Sequence, residues 1–221
     1  MGANLTAGLA FSLDTGSTLH LCIDMQRLFA EETPWRVPWL SRVLPAVREI
    51  ASRHPARTVF SRFMPPTTAT GATGAWRDYY ARWPQMTRSS LDPGLLELVE
   101  PLARLVPPAR VVDKPANSVF SRAGFAAVLR RRGIRTIVMT GGETDVCVLA
   151  TVMQAIDLGF RVVLPVDALC STSDGAHDAL VDLFRRRFSA QVAATTTAEV
   201  LQRWPRNREE RSSVLLEQPA A

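Results

Sequence analysis

The sequence predicts one doubly wound α/β domain, with a mostly parallel six-stranded sheet and helices on both faces. Two observations predict it: apolar, β-branched strand patterns alternate with helical patterns along the chain, and two helical patterns stop at a glycine. Strands joined by right-handed helical crossovers form a parallel sheet that is covered on both faces. A chain of 221 residues with 47% hydrophobic residues is long enough for one such core.

The strand patterns occur six times. In the first, "TLHLCIDM", Leu19, Leu21 and Ile23 share one face while His20 and Cys22 share the other with the aspartate that follows. The predicted strands cover residues 18–24, 57–63, 109–114, 135–142, 161–169 and 189–195. The predicted helices cover residues 39–53, 95–106, 122–133, 144–159, 174–188 and 197–204.

Three segments lie outside this alternation. We expect residues 1–17 to be a flexible N-terminal arm and residues 205–221 a polar tail, which leaves 18–204 as the domain. Residues 64–93 form a long stretch rich in proline, glycine and threonine, predicted to be irregular. Because this stretch also carries clustered aromatic residues, a functional loop is favoured over disorder.

The composition argues against several classes of protein. No apolar run of about 18 residues predicts a membrane span, and no signal peptide is recognised. Three scattered cysteines favour a reducing, cytoplasmic location over a disulfide framework. The net charge of +5 comes from arginines spread along the chain, so we expect no nucleic-acid partner. The sequence contains no dinucleotide-binding, P-loop or CxxC motif.

Three reactive side chains are expected at one edge of the sheet. Asp24 and Lys114 end predicted strands, and Cys147 follows a third strand through a glycine pair. Ligands of open parallel sheets bind outside the carboxyl ends of the strands. Lys114 is the only lysine in the chain, whereas the other basic side chains are arginines. We therefore expect that this position requires a compact ammonium that a guanidinium cannot replace.

A cysteine at the start of a helix, beside an ammonium, is expected to have a lowered pKa and to act as a nucleophile. Asp24 is then suited to take the thiol proton and to pass it to a leaving amine. Taken singly, each residue also has an ordinary reading: Cys147 as core, Asp24 as a cap and Lys114 as a surface charge.

Three motifs, "IDMQRLF", "DKPANSVF" and "GGETDVCVLAT", resemble the isochorismatase-like cysteine hydrolases over about residues 19–193. The resemblance implies Cys147 as nucleophile, Asp24 as general acid and base, and Lys114 as their electrostatic partner. It further implies a cis peptide at Gly142–Glu143, with the backbone amides of Glu143 and Cys147 forming an oxyanion hole. Because members of the family are typically dimers or tetramers, the resemblance also implies that this chain forms a homodimer or homotetramer.

Departures from the family's branches narrow the expected reaction. Nicotinamidases carry metal-binding histidines after the second strand, but this chain has no histidine between His54 and His177, so no metal and no cofactor is expected. Cys147 argues against the vinyl-ether branch, which lacks the cysteine. The metal-free amidohydrolase branch remains, which includes N-carbamoylsarcosine amidohydrolase and streptothricin hydrolase.

The predicted function is therefore cleavage of a C–N bond in a small amide, carbamoyl or ureido substrate. The alternatives are an isochorismatase-type vinyl-ether hydrolase and a non-catalytic binding protein. His177 is a further candidate for contact with substrate, while His20, Cys22 and Cys170 are expected in the core. The candidates for the wall of the substrate pocket are Phe29, Phe63, Trp76, Tyr79 and Trp83. At least some of these five are expected in the core or at a subunit interface instead.

Overall fold

The computed structural model describes residues 13–205. Its sheet has seven strands, and every named strand pair is parallel. The strands are β1 (Thr18–Ile23), β2 (Thr58–Phe63), β3 (Arg110–Lys114), β4 (Thr136–Gly142), β5 (Arg161–Pro165), β6 (Leu169–Cys170) and β7 (Val192–Thr195). The helices are α1 (Arg27–Ala30), α2 (Leu40–Arg53), α3 (Ala75–Arg82), α4 (Glu100–Ala103), α5 (Phe125–Arg131), α6 (Leu149–Asp157), α7 (Asp174–Arg187) and α8 (Thr197–Arg203).

The strand order is β3-β2-β1-β4-β5-β7, with β6 paired to β4. The order runs outward in opposite directions from β1 and β4, so the topological switch point lies between these two strands. Their ends are level, because Ile23 pairs with Gly141. One strand further out, Phe63 pairs with Lys114. The carboxyl ends of β1, β2, β3 and β4 therefore meet along one edge.

The predicted fold class is confirmed, but the strand count is seven, not six. The predicted strand 161–169 is interrupted after Pro165 by a 3₁₀ turn at Val166–Ala168. The chain then returns to the sheet as β6, where Leu169 pairs with Gly141 and Cys170 with Gly142. This short strand ends beside the glycine turn, so it forms part of the site.

The helix predicted over residues 95–106 is wrong. A 3₁₀ turn at Pro93–Leu96 and the short α4 occupy this stretch instead. Between them, Leu98 forms an antiparallel bridge with Gln26, which keeps the chain extended. The tertiary pairing overrides the local helical pattern.

Four other predicted segments also differ from the structure. The segment 64–93 is not wholly irregular, since it contains α3. The helix predicted from residue 122 begins at Phe125, and the last strand begins at Val192 rather than at residue 189. The helix predicted over 144–159 starts as a π-helical turn, Thr144–Val148, before α6.

The core lies on both faces of the sheet, as the alternation in β1 predicts. Leu21 and Ile23 pack into one cluster with residues of β4, α5, α6 and α7, including Met139. On the other face, Cys22 packs with residues of α2 and with Phe60. Because both faces of β1 are buried, Asp24, directly after the strand, is the residue of this segment that lines the site.

The predicted terminal segments lie almost wholly outside the described residues. Of the N-terminal arm only residues 13–17 are described, and there Leu13 is buried. Of the tail only Pro205 is described. Among residues 13–205, no helix has the length and apolar character needed to cross a membrane.

Candidate active site

The turn after β4 depends on its two glycines. Gly141 has a φ of +95°, and an added Cβ would overlap the backbone carbonyl of Ile23. At Gly142 an added Cβ would lie 2.6 Å from Cys170 Sγ. Both positions therefore exclude a side chain. The Gly142–Glu143 peptide is cis, as the family resemblance implies.

Asp24, Lys114 and Cys147 lie together at the end of the sheet, and we call them the floor of the site. Lys114 Nζ lies 2.7 Å from Asp24 Oδ2 and 3.4 Å from Cys147 Sγ. Its third partner is the carbonyl oxygen of Ala116, at 3.0 Å. The structure thus brings together the three residues that the sequence identified, and all three side chains are buried.

A residue that the sequence did not identify holds Asp24 in place. Ser61, in β2, donates a hydrogen bond from Oγ to Asp24 Oδ1 at 2.6 Å and accepts one from the Asp24 backbone N–H at 3.2 Å. Asp24 itself has a positive φ of 50°. The ring of Phe63 lies beneath the ammonium, with Lys114 Nζ 5.1 Å from the ring centroid.

The electrostatics of the floor correct one prediction. Burial, followed by the charge of Asp24, raises the pKa of the Cys147 thiol, and Lys114 only partly opposes this. Burial is the largest single influence on Lys114 and opposes its charge, but Asp24 and Cys147 together outweigh burial, and the pKa of Lys114 lies above its ordinary value. The predicted low thiol pKa is therefore wrong. The floor holds a neutral thiol beside a carboxylate–ammonium pair.

The nucleophile turn is held by the segment that contains β6. Three consecutive residues of the turn each bond to this segment. The bonds run from Thr172 N–H to Glu143 Oε2 (2.8 Å), from Thr144 Oγ1 to Cys170 O (3.1 Å) and from Ser171 Oγ to Asp145 Oδ1 (2.7 Å). These bonds fix the backbone from which Cys147 projects.

His177 supports this turn and does not line the cavity. Its Nδ1 lies 2.9 Å from Thr144 Oγ1, and its ring packs edge-on against Trp39. Burial lowers the pKa of His177, although three nearby aspartates act against this. The histidine that was a candidate for substrate contact therefore contacts the turn behind the nucleophile.

The remaining core predictions agree with the structure. His20 is fully buried between Thr58 Oγ1 (3.1 Å) and Thr140 Oγ1 (2.8 Å), and burial lowers its pKa to about 3. Cys22 and Cys170 are buried free thiols. Burial raises the pKa of both, that of Cys170 to about 12.

A cavity of about 360 Å³ opens above Asp24 and Cys147. Four of the five predicted aromatic residues line it, together with Trp35, and we call these five rings the wall. They are Phe29, Trp35, Phe63, Trp76 and Tyr79. Trp83 is not among the lining residues, so that candidate is wrong.

Sequence reasoning missed several lining residues. Trp35 lies in a turn between α1 and α2, and its ring centroid is 6.5 Å from Phe29 and 5.8 Å from Tyr79. Asn117 lies just after β3, and Glu143, which the sequence identified only for its backbone amide, also lines the cavity. Asn117 and Glu143 stand inside the quoted motifs, which was the one signal available for them.

Within residues 13–205, no group of three or more His, Cys, Asp or Glu side chains is placed to hold a metal ion. The donor groups of the floor are a carboxylate already paired with an ammonium and a protonated thiol.

Residues 18–199 match the family model of the isochorismatase domain. A curated relative, streptothricin hydrolase of Streptomyces noursei, is 30% identical over 100 residues, which cover 45% of this chain and 36% of that protein. The match therefore spans about a third of that relative's length.

Solved structures resemble the chain over most of its length. A cysteine hydrolase from Pseudomonas syringae pv. phaseolicola superposes with a TM-score of 0.76 at 22% identity, covering 91% of this chain and 98% of that one. N-carbamoylsarcosine amidase from Thermoplasma acidophilum gives a TM-score of 0.66 at 18% identity, covering 82% and 96%. At these identities the likeness establishes the fold alone.

Proposed function

Because this chain belongs to the isochorismatase domain family, we propose that it is a cysteine hydrolase cleaving the C–N bond of a small amide, carbamoyl or ureido substrate. The observation that carries the proposal is the contact of one buried ammonium, Lys114, with both Asp24 and Cys147 at the base of a cavity. The names of two similar proteins, streptothricin hydrolase and N-carbamoylsarcosine amidase, agree with a hydrolase of this kind.

The first half of the reaction begins from the neutral thiol. As Cys147 Sγ attacks the substrate's carbonyl carbon, Asp24 accepts the thiol proton, and a tetrahedral oxyanion forms. Backbone N–H groups of Glu143 and Cys147, in the turn fixed by β6, are proposed to stabilise that oxyanion. Asp24 then gives the proton to the nitrogen, the C–N bond breaks, and ammonia or an amine leaves a thioester on Cys147.

The second half uses water. Asp24, again a carboxylate, takes a proton from a water molecule that attacks the thioester carbon. When the tetrahedral intermediate collapses, the C–S bond breaks and the proton returns to sulfur. Lys114 stays protonated throughout, and its charge stabilises Asp24 and the developing thiolate. Its position between the two groups favours this electrostatic role.

One observation favours this mechanism over the two alternatives. A vinyl-ether hydrolase requires protonation of its substrate by Asp24 but no nucleophile, whereas here Lys114 Nζ contacts the Cys147 sulfur at 3.4 Å. A binding protein requires no such buried set of a carboxylate, an ammonium and a thiol, because unused buried charges are unfavourable.

The experiment is a screen of amides, ureas, carbamates and hydrazides, with ammonia release as the readout. For any substrate found, Cys147→Ala is expected to lower kcat by roughly a thousandfold or more, because the nucleophile is lost. Cys22→Ala is the matched control, since it removes a buried thiol outside the cavity and keeps turnover. Mass spectrometry of the quenched wild-type protein is expected to find the acyl group on Cys147.

Activity that survives in Cys147→Ala would contradict an acyl-enzyme on Cys147. It would support the vinyl-ether hydrolase, in which Asp24 protonates the substrate and no nucleophile is needed. Substrate binding without turnover in the wild-type protein, across the whole screen, would support the binding protein instead.

A further inference from the structure

The charges around the cavity do not cancel. Its charged lining residues are Asp24, Arg36 and Glu143. Asp24 is neutralised by Lys114 at 2.7 Å. Arg36 pairs with Glu32 at the rim, where their side chains are 45% and 84% exposed. After these pairs are removed, one carboxylate remains.

That carboxylate is Glu143. Its Oε2 accepts a hydrogen bond from the Thr172 backbone N–H at 2.8 Å, which aims the side chain. In the part of the chain that the structure describes, no lysine, arginine or histidine forms an ion pair with Glu143. Glu143 and its partner Thr172 both line the cavity, so this carboxylate lies at the cavity with no ion-pair partner among the described residues.

The wall lies close to this charge. Tyr79 and Glu143 line the same cavity. Burial is the main cause that raises the pKa of Tyr79, and the charge of Glu143 also raises it. Tyr79 packs against Trp76 at 5.5 Å and Trp35 at 5.8 Å between ring centroids. The faces of aromatic rings attract cations, and more strongly where water is excluded.

We propose that Glu143 and the wall make this site selective for substrates that carry a positive charge, such as an alkylated ammonium or a guanidinium, in the part that fills the cavity. Glu143 is then a specificity-determining residue. That the selected molecules are substrates rests on the proposed amide hydrolysis. The charge selectivity of the cavity can be tested without turnover. A carboxylate-bearing substrate is disfavoured by the same charge.

The decisive variant is Glu143→Gln. Glutamine has the same shape, and its amide oxygen still accepts the Thr172 N–H, so the turn keeps its support while the charge is removed. Glu49→Gln, on the exposed face of α2, is the matched control because it makes the same change in net charge away from the cavity.

The first test uses the reactivity of Cys147. A cationic and an anionic methanethiosulfonate of similar size each form a mixed disulfide with the cysteine and release methanesulfinate. Peptide mapping by mass spectrometry reports the rate at Cys147 alone. We expect the cationic reagent to react faster in the wild-type protein and in Glu49→Gln. Glu143→Gln is expected to lower the ratio of the two rates by about tenfold.

An equal rate for the two reagents, or a ratio that Glu143→Gln leaves unchanged, would overturn the inference. Circular dichroism of each variant confirms that the fold is intact. A ratio that falls in both glutamine variants would assign the effect to net charge, and so would also overturn it.

The second test uses three amides that differ in charge: trimethylammonioacetamide, its neutral isostere tert-butylacetamide, and malonamate. The inference is supported if the wild-type protein hydrolyses the cationic amide with the highest kcat/KM. In Glu143→Gln, this kcat/KM should fall towards that of the neutral isostere. Hydrolysis without a charge preference overturns the inference and leaves the proposed function standing. If none of the amides is hydrolysed, the proposed function is weakened, and the thiosulfonate rates still decide the charge selectivity.

Discussion

The floor and the wall of the site are built in opposite ways. Asp24, Lys114 and Cys147 come from strand ends and a glycine turn, are buried, and contact one another through Lys114. The wall comes from α1, the turn before α2, the end of β2 and α3, and Tyr79 is 39% exposed. A rigid base with a more exposed surround is typical of sites in which the scaffold fixes the chemistry and the loops select the ligand.

This difference teaches where variation is tolerated. Each partner of the Lys114 ammonium has a fixed place, so a change in the floor leaves a buried charge or donor unpaired. A change in the wall removes packing area but leaves no unpaired charge. Variants of the floor are therefore expected to change kcat, and variants of the wall to change KM.

Among the variants that compare the floor with the wall, the largest effect is expected from Asp24→Asn, which removes the proposed base. We expect kcat to fall by about 10²–10⁴-fold. Because the charge of Asp24 raises the pKa of Cys147, the same variant should lower the pH at which Cys147 is alkylated by iodoacetamide. Lys114→Met should shift that pH upward, since Lys114 lowers the thiol pKa. The rate of alkylation at Cys147 against pH measures both shifts.

A double variant, Asp24→Asn with Lys114→Met, is the control for folding because it leaves neither charge unpaired. It should be more stable than Lys114→Met alone and equally inactive. If the two single variants move the alkylation profile in the same direction, the electrostatic account of the floor is wrong.

A smaller effect is expected from the wall. Trp76→Leu keeps an apolar side chain but removes a ring, so KM should rise by about tenfold while kcat stays within about twofold. Trp83→Leu, in the same segment but outside the cavity, is the matched control. Steady-state kinetics with the best substrate separate the two parameters. If Trp76→Leu lowered kcat as much as Asp24→Asn does, the proposed division of roles between the floor and the wall would be wrong.

The smallest effect on catalysis is expected from His20, which lies beneath the floor and contacts no cavity-lining residue through its hydrogen bonds. Its pKa in the folded protein is about 3, against an ordinary value of 6.5. The unfolded chain therefore binds a proton that the folded protein does not, and stability decreases as the pH falls below about 6.5. By pH 5 this costs roughly 2 kcal/mol.

His20→Gln keeps hydrogen-bonding capacity towards Thr58 and Thr140 but does not titrate. Its free energy of unfolding, measured with denaturant at pH 7 and pH 5, should fall less than that of the wild-type protein, with kcat nearly unchanged. Equal losses in the two proteins would show that acid sensitivity arises elsewhere.

Much of the floor could be predicted because it follows from chain order. A strand pattern ending at Asp24, a second ending at Lys114 and a glycine pair before Cys147 place these residues at one edge of any parallel sheet. Ser61 and Trp35 could not be found in this way. Ser61 is one polar residue in a strand and gains its role only from the register of β2 against β1. Trp35 reaches the cavity through a turn whose path depends on distant contacts.

The sequence by itself determined the alternation of strands and helices that sets the fold class, the glycines of the turn and the identity of the three reactive side chains, because these depend on local pattern and residue type. Only the tertiary structure decided the seventh strand, the broken helix near Leu98 and the protonation of Cys147. A thiol pKa depends on burial and on the charges within a few ångströms, and neither quantity exists until the chain has folded.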